Sequence, residues 1–226
     1  MRQRFFRTIP KTLNLLALAS FVSLLLKVFV FNHIPEPFHG SFELGIVFEG
    51  LLASILASYV FYLIVVHLKE VRDQTIISPH ITQWAKRVVG DCMSQLSEFT
   101  KASQISLELA TLDKEAVKAA LSKVDPNSNA PLLLAVNQYA NWLQYWGYHQ
   151  TRSKNCIAKI MGQYTFVDAQ LIALLTAIDD SSHFNFVSEF IHTPIRNEDM
   201  SAFASSFYDY CVACRQLDTF LNAAKV

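Results

Sequence analysis

From Gly45 to Val66 the chain reads GIVFEGLLASILASYVFYLIVV, 22 residues in which Glu49 is the only charge. As a helix rising about 1.5 Å per residue, such a run matches the hydrocarbon core of a bilayer, about 30 Å thick. A second apolar stretch, Thr12 to Asn32, has Lys27 as its only charge. The short link between the two forces a reversal, so the pair is read as an antiparallel hairpin through a membrane. The expected fold class is therefore an all-α membrane protein: a two-span transmembrane helical hairpin followed by a helical cytoplasmic bundle. The boundaries are a basic N-terminus over 1–11, a hairpin over 12–67 (span one 12–32, external link 33–44, span two 45–66) and a helical domain over 68–226.

Charge placement sets the orientation. The 226 residues are formally neutral, yet Arg2, Arg4, Arg7 and Lys11 crowd the start, while the link carries Glu36 and Glu43 and no Lys or Arg. Cations are retained on the cytoplasmic side, which puts both termini there. A cleaved signal peptide is the rival reading of the first stretch. The apolar run is too long for that, and Asn32-His33-Ile34-Pro35 lacks the small residues of a cleavage site. A mean hydropathy of +0.25 suits two spans plus a polar domain. The cysteines (Cys92, Cys156, Cys211, Cys214) all fall in the cytoplasmic part, where a disulfide framework is not expected.

Two features inside the hairpin carry chemistry. Lys27 lies about six residues from the outer end of span one, and Glu49 begins span two near the same interface. Lys27 is placed either to snorkel to the headgroups or to pair with Glu49, fixing the register and marking where water first enters if the helices rearrange. Gly50, Ser54 and Ser58 recur every four residues, with Ala53 and Ala57 beside them. Small residues let helices approach closely where lipid removes the hydrophobic drive. The stripe serves oligomerisation or packing against span one. Tyr59 and Tyr62 lie toward the inner end, as an aromatic belt requires. Pro35, Pro37, Gly40 and Ser41 form the turn, with Phe38 and Phe42 at the interface.

Beyond Val66 the helix is expected to continue through alternating charges and to break at Ser78-Pro79. Apolar residues at helical spacing (Ile81, Trp84, Val88, Cys92, Leu96, Phe99) predict a helix over 80–99. Further helices are read over 104–112, over 114–124 with Asp113 as N-cap, over 132–163, over 167–179 with Asp168 near the start, over 184–191 ending before Pro194, and from 197 to 223 with Glu198 and Asp199 in the first turn. Residues 125–131, DPNSNAP, form the strongest loop signal. No strand alternation is evident, so the domain is read as a bundle of five to seven helices.

Catalytic signatures are sparse. No Walker-type glycine loop, GxSxG elbow or HExxH occurs, and the RxxxxH spacing of HEPN ribonucleases is missing. Asp179, Asp180 and His183 form the one dense polar cluster, read either as ordinary helix-end chemistry or as part of a metal-dependent hydrolase or nuclease. Cys211 and Cys214 make a lone CxxC. They become half of a zinc set only if the fold gathers Cys92 and Cys156; otherwise all four are small apolar core residues. Lys86 with Arg87, and Arg152 with Lys154 and Lys159, are basic groups too small for direct, sequence-specific nucleic-acid binding. The reading is non-enzymatic, with no cofactor and no metal.

At Phe48 and Ser54-Ile55-Leu56-Ala57-Ser58-Tyr59-Val60-Phe61-Tyr62, followed by a charged helical extension, the chain resembles two-span bacterial membrane proteins with a helical C-terminal region. Some of these are effectors of retron anti-phage systems. The resemblance covers about a third of the chain. It implies location in the bacterial inner membrane and restraint by a protein or ribonucleoprotein regulator, a reverse transcriptase with its RNA–DNA hybrid. It further implies release on infection, when self-association in the lipid bilayer permeabilises the membrane in abortive infection. The rival function is a membrane-tethered, non-toxic scaffold or signalling module.

Overall fold

The computed structural model describes residues 10–34, 40–191 and 196–223. Arg2, Arg4, Arg7, Pro35, Glu36, Pro37, Phe38 and Pro194, given topology or turn roles above, lie outside the described residues. The described chain is mostly helical and falls into two compact units, Met1–Ile76 and Ile77–Val226.

The first unit is a helical hairpin. Helix α1 covers Lys11–Phe29, and a short 3₁₀ turn follows at Phe31–His33. Helix α2 covers Ser41–Phe61. Its N-cap Gly40 has φ +90°, a left-handed conformation that glycine adopts without the clash of a Cβ. Both helices are long and apolar enough to cross a membrane. Their apolar side chains face outward nearly all round: Leu15, Leu18, Phe29, Leu44, Val47 and Phe61 are all exposed. In water that surface would be costly, whereas lipid tails meet it without penalty. Among the described residues of α1 and α2, only Ala17, Ser20 and Leu52 are buried.

Past Phe61 the backbone widens into a π-helical turn at Tyr62–His67 and then re-forms as helix α3, Leu68–Ser103. The helical extension is as expected, but the break at Ser78-Pro79 is not: Pro79 lies inside α3. A proline removes one backbone bond and kinks a helix, a local cost of about 3 kcal/mol. Here the following turns bury Ile81, Ala85, Val88, Cys92, Leu96 and Phe99 in the core. Burial of such a stripe is worth more than one lost bond.

The second unit packs α3 with α4 (Lys114–Leu121), α5 (Trp142–Met161), α6 (Ala169–Asp179), α7 (Ser182–Phe190) and α8 (Ala204–Ala223). Starts are set by side-chain caps, which satisfy otherwise orphaned N–H groups. Asp113 accepts from Glu115 N and Ala116 N, Asp168 from Gln170 N, and Ser181 from Phe184 N. Asn141 and Gln144 form a full capping box at α5. Around Phe99, Trp146, Phe207 and Tyr210 the core is aromatic. At Gly147, α5 passes so close to Ile191 that a Cβ would collide with its side chain. Gln150 Nε2 donates to Phe184 O and to Ser188 Oγ, tying α5 to α7.

Three expectations for this unit are corrected. The stretch 104–112 is not an α-helix: it runs extended, with one 3₁₀ turn at Leu109–Thr111, because Ser103 Oγ and Thr100 Oγ1 take the N–H groups of Ile105 and Leu107. The helix expected from 132 begins only at Trp142. Before it stands an antiparallel hairpin, β1 (Asn129–Ala135) and β2 (Gln138–Asn141), so the domain is not purely helical. Pro131 and the left-handed Asn137 (φ 62°) oppose helix there, while the capping box at Asn141 starts one. The last helix begins at Ala204. Before it, Asp199 accepts from Ser201 N and initiates a 3₁₀ turn, Ser201–Phe203.

Candidate functional site

In the hairpin, Lys27 Nζ donates to Glu49 Oε2 at 2.5 Å. The side chain of Lys27 is only 13% exposed. Gly45 makes room for it, since a Cβ there would approach Lys27 Cε to 3.3 Å. Leu26, Phe31, Phe42 and Phe48 join Lys27 and Gly45 around a cleft of about 610 Å³ at the bend end. The ammonium is shielded by aromatic and aliphatic carbon, while the Glu49 side chain that accepts from it remains 43% exposed.

A second cross-link joins the far end. Tyr59 OH donates to Asn14 Oδ1 at 2.5 Å. Asn14 and Lys27 stand about 20 Å apart along α1, so the two polar pairs clamp the seam near both ends. The sequence reading missed Asn14. A lone amide in an apolar span was the available signal, since such a group is kept only where it finds a partner.

Gly50, Ala53, Ser54, Ala57 and Ser58 are all exposed. The seam with α1 is made instead by Leu52 and the half-buried Ile55, Leu56 and Tyr59. A Cβ on Gly50 would meet nothing within 4 Å. Ser54 Oγ donates to Gly50 O at 2.8 Å, so its hydroxyl needs no outside partner. Ser54 and Ser58 also line a groove of about 370 Å³ between α1 and α2, with Leu13, Ala17 and Leu51. The stripe is thus exposed along its length, with the Ser54 hydroxyl satisfied within its own helix.

In the second unit the polar chemistry is internal. The Asp91 carboxylate on α3 is 3% exposed and meets one face of α5: His149 Nδ1 and Arg152 Nη2 lie 3.2 Å from Oδ1, and Ser153 Oγ lies 3.5 Å from Oδ2. Ser153 Oγ faces the carboxylate. The guanidinium offsets the buried charge, and the group pins α3 to α5. Arg152 also lies over the Tyr148 ring, 5.4 Å from its centroid. Lys154 reaches Asp179 at 3.9 Å and the Phe184 ring at 5.9 Å. These two cations of the α5 basic group are engaged within the domain.

The dense polar segment is dispersed. Asp180 ends α6, Ser181 caps α7, and His183 turns inward, 4.7 Å from Trp146 and 5.1 Å from Tyr210, ring centre to ring centre. Burial there pushes the imidazole down to about 3, so it is neutral. Of the cysteines, Cys92 and Cys211 come within 3.6 Å, Sγ to Sγ, with Cys214 and Tyr210 beside them. Burial raises all three thiols. Among the described residues no group of three His, Cys, Asp or Glu is arranged to hold a metal.

Comparisons of this chain with protein-family models, with curated proteins and with solved structures find no match.

Proposed function

We propose that the chain is a non-enzymatic effector of the bacterial inner membrane. Its two apolar helices cross the bilayer, both termini face the cytoplasm, and the helical domain takes a signal from a protein or ribonucleoprotein regulator. When released, copies assemble through α2 and depolarise the membrane. The observation that carries this reading is the exposed stripe Gly50, Ala53, Ser54, Ala57 and Ser58 on α2, of which Ser54 and Ser58 also border the groove against α1. Helices in lipid associate through such surfaces because close backbone approach maximises dispersion contact. The clamped Lys27–Glu49 pair supplies polar groups around which a rearranged assembly admits water.

The test is induction in a bacterium while a voltage-sensitive dye reports membrane potential. The full chain is expected to depolarise the cells. Gly50→Leu is expected to abolish most of that effect at equal protein in the membrane. Because no described residue lies within 4 Å of a Cβ at Gly50, the loss would report contact between copies rather than damage to the hairpin. Polarised cells at high levels of the intact protein would overturn the effector reading. Full depolarisation by Gly50→Leu would overturn the assembly face.

A further inference from the structure

The hairpin of β1 and β2 ends in an uncharged tip, where exposed Leu133, Leu134, Val136 and Tyr139 stand beside the exposed amides of Asn137 and Gln138. At its base Ala130 is buried and Leu132 packs on the core. Beyond Leu132 both strand faces are open: Leu133 is 58% exposed, Leu134 50% and Tyr139 50%, and Val136 in the two-residue turn reaches 89%. Asn137 closes that turn in the left-handed region, φ 62°. Leu133 and Tyr139 are cross-strand partners, so their side chains form one surface. From Pro126 through Thr151 the sequence has no Asp, Glu, Lys or Arg. Polar or charged residues ordinarily guard such an exposed hairpin.

Two features say what the tip meets. Its most exposed large apolar side chain, Val136, stands in the turn itself, so the hairpin ends in apolar carbon that lipid tails accept. Its edges also suit strand addition poorly: the register shifts between Asn129 and Leu133 and again between Leu133 and Ala135, and Pro131 lacks an N–H. A second copy pairing edge to edge would find an irregular row of donors. A lipid interface requires only apolar side chains at the end and an amphipathic ring behind them. Leu133, Leu134, Val136 and Tyr139 supply these. On the reading above, the same chain is already anchored in a bilayer, which raises the effective concentration of that surface.

We propose that the β1–β2 tip, through Leu133, Leu134, Val136 and Tyr139, inserts shallowly into the acyl–headgroup boundary of a membrane. This inference rests on the membrane reading given under the proposed function. Insertion is driven by apolar side chains alone, so it does not require anionic lipid.

The experiment uses the full chain reconstituted into phosphatidylcholine vesicles, with and without phosphatidylglycerol. An environment-sensitive fluorophore is attached through Val136→Cys; the native cysteines are buried and do not compete. Parallel samples carry Val47→Cys on α2 and Glu115→Cys on α4, both exposed positions. The Val136→Cys probe is expected to emit to the blue of the Glu115→Cys probe. Nitroxides placed high on the acyl chain should quench it, equally in both lipid mixtures, and Leu133→Asp with Leu134→Asp should abolish the shift. A water-like Val136→Cys probe beside a lipid-quenched Val47→Cys probe would overturn the tip proposal and leave the membrane reading standing. Water-like signals at both would overturn both. A blue shift that grows with protein density and ignores lipid nitroxides would show that a second copy covers the tip, and would also overturn the proposal.

Discussion

His183 is neutral because burial among Trp146, Phe207 and Tyr210 removes the water that would solvate an imidazolium. Its folded pKa, about 3, lies below the unfolded value of about 6.5. Unfolding therefore takes up a proton at mildly acid pH. The contribution is fully present above pH 6.5 and is lost as pH falls toward 3. Between pH 7 and pH 5 the domain should lose about 2 kcal/mol of stability through this residue. Thermal melts across that range should show the slope in the native chain, and His183→Phe should flatten it. A different single-residue effect is expected at Gln104, which ends α3 at φ 60° and donates its N–H to Thr100 O at 2.8 Å. A side chain in that conformation is strained, and this one is exposed. Gln104→Gly should stabilise by about 0.5–1 kcal/mol, read as a raised denaturant midpoint with unchanged slope.

At the scale of elements, the hairpin of α1 and α2 is held by two polar pairs in a seam otherwise made of apolar and small side chains. Lys27→Met leaves Glu49 without its counter-ion, and Glu49→Met does the same to Lys27. Each single replacement should destabilise the hairpin by about 1–3 kcal/mol, and the double replacement by less than the sum, because no charge is then stranded. Unfolding of the reconstituted hairpin in rising dodecyl sulfate measures the four corners of that cycle. Additive costs would mean that the pair does not couple in lipid. The β1–β2 hairpin shows the opposite economy: almost none of its distal surface is buried, so its persistence depends on its base. Trp142 N donates to Pro126 O at 3.2 Å, and Trp142 Nε1 donates to Ser128 Oγ at 3.1 Å.

For the whole molecule, the two units differ in what holds them. The first exposes apolar side chains and depends on its surrounding medium. The second has a core of its own, in which Cys92, Cys156, Cys211 and Cys214 are all buried. Burial keeps the Cys92, Cys211 and Cys214 thiols protonated, and only thiolates react quickly. In the native full chain a maleimide should modify these cysteines only at the rate of global opening of that core. All four should react promptly in guanidinium chloride. Rapid native labelling at Cys92 or Cys211 would mean that the core opens locally between α3 and α8.

Much of this architecture is written in contiguous residues. The runs around Lys27 and Glu49 announce two helices that water would not tolerate. The spacing of Ile81, Val88, Cys92 and Phe99 announces the buried face of α3. Asp113 and Asp168 announce where helices start. Each signal is local: hydropathy, period and capping act within one or two helical turns. The extended course of 104–112, the helix through Pro79 and the β1–β2 hairpin were hidden, because there propensity competes with contacts made from elsewhere in the chain. The candidate site divides the same way. The stripe from Gly50 to Ser58 is visible as a pattern, but only packing decides that Leu52, Ile55 and Tyr59 carry the seam and that the stripe stays exposed. Asn14 finds Tyr59, Asp91 finds His149 and Arg152, and Cys92 finds Cys211 across long sequence separations. Such pairings depend on how whole elements dock, and docking is settled by the total buried surface rather than by any one segment.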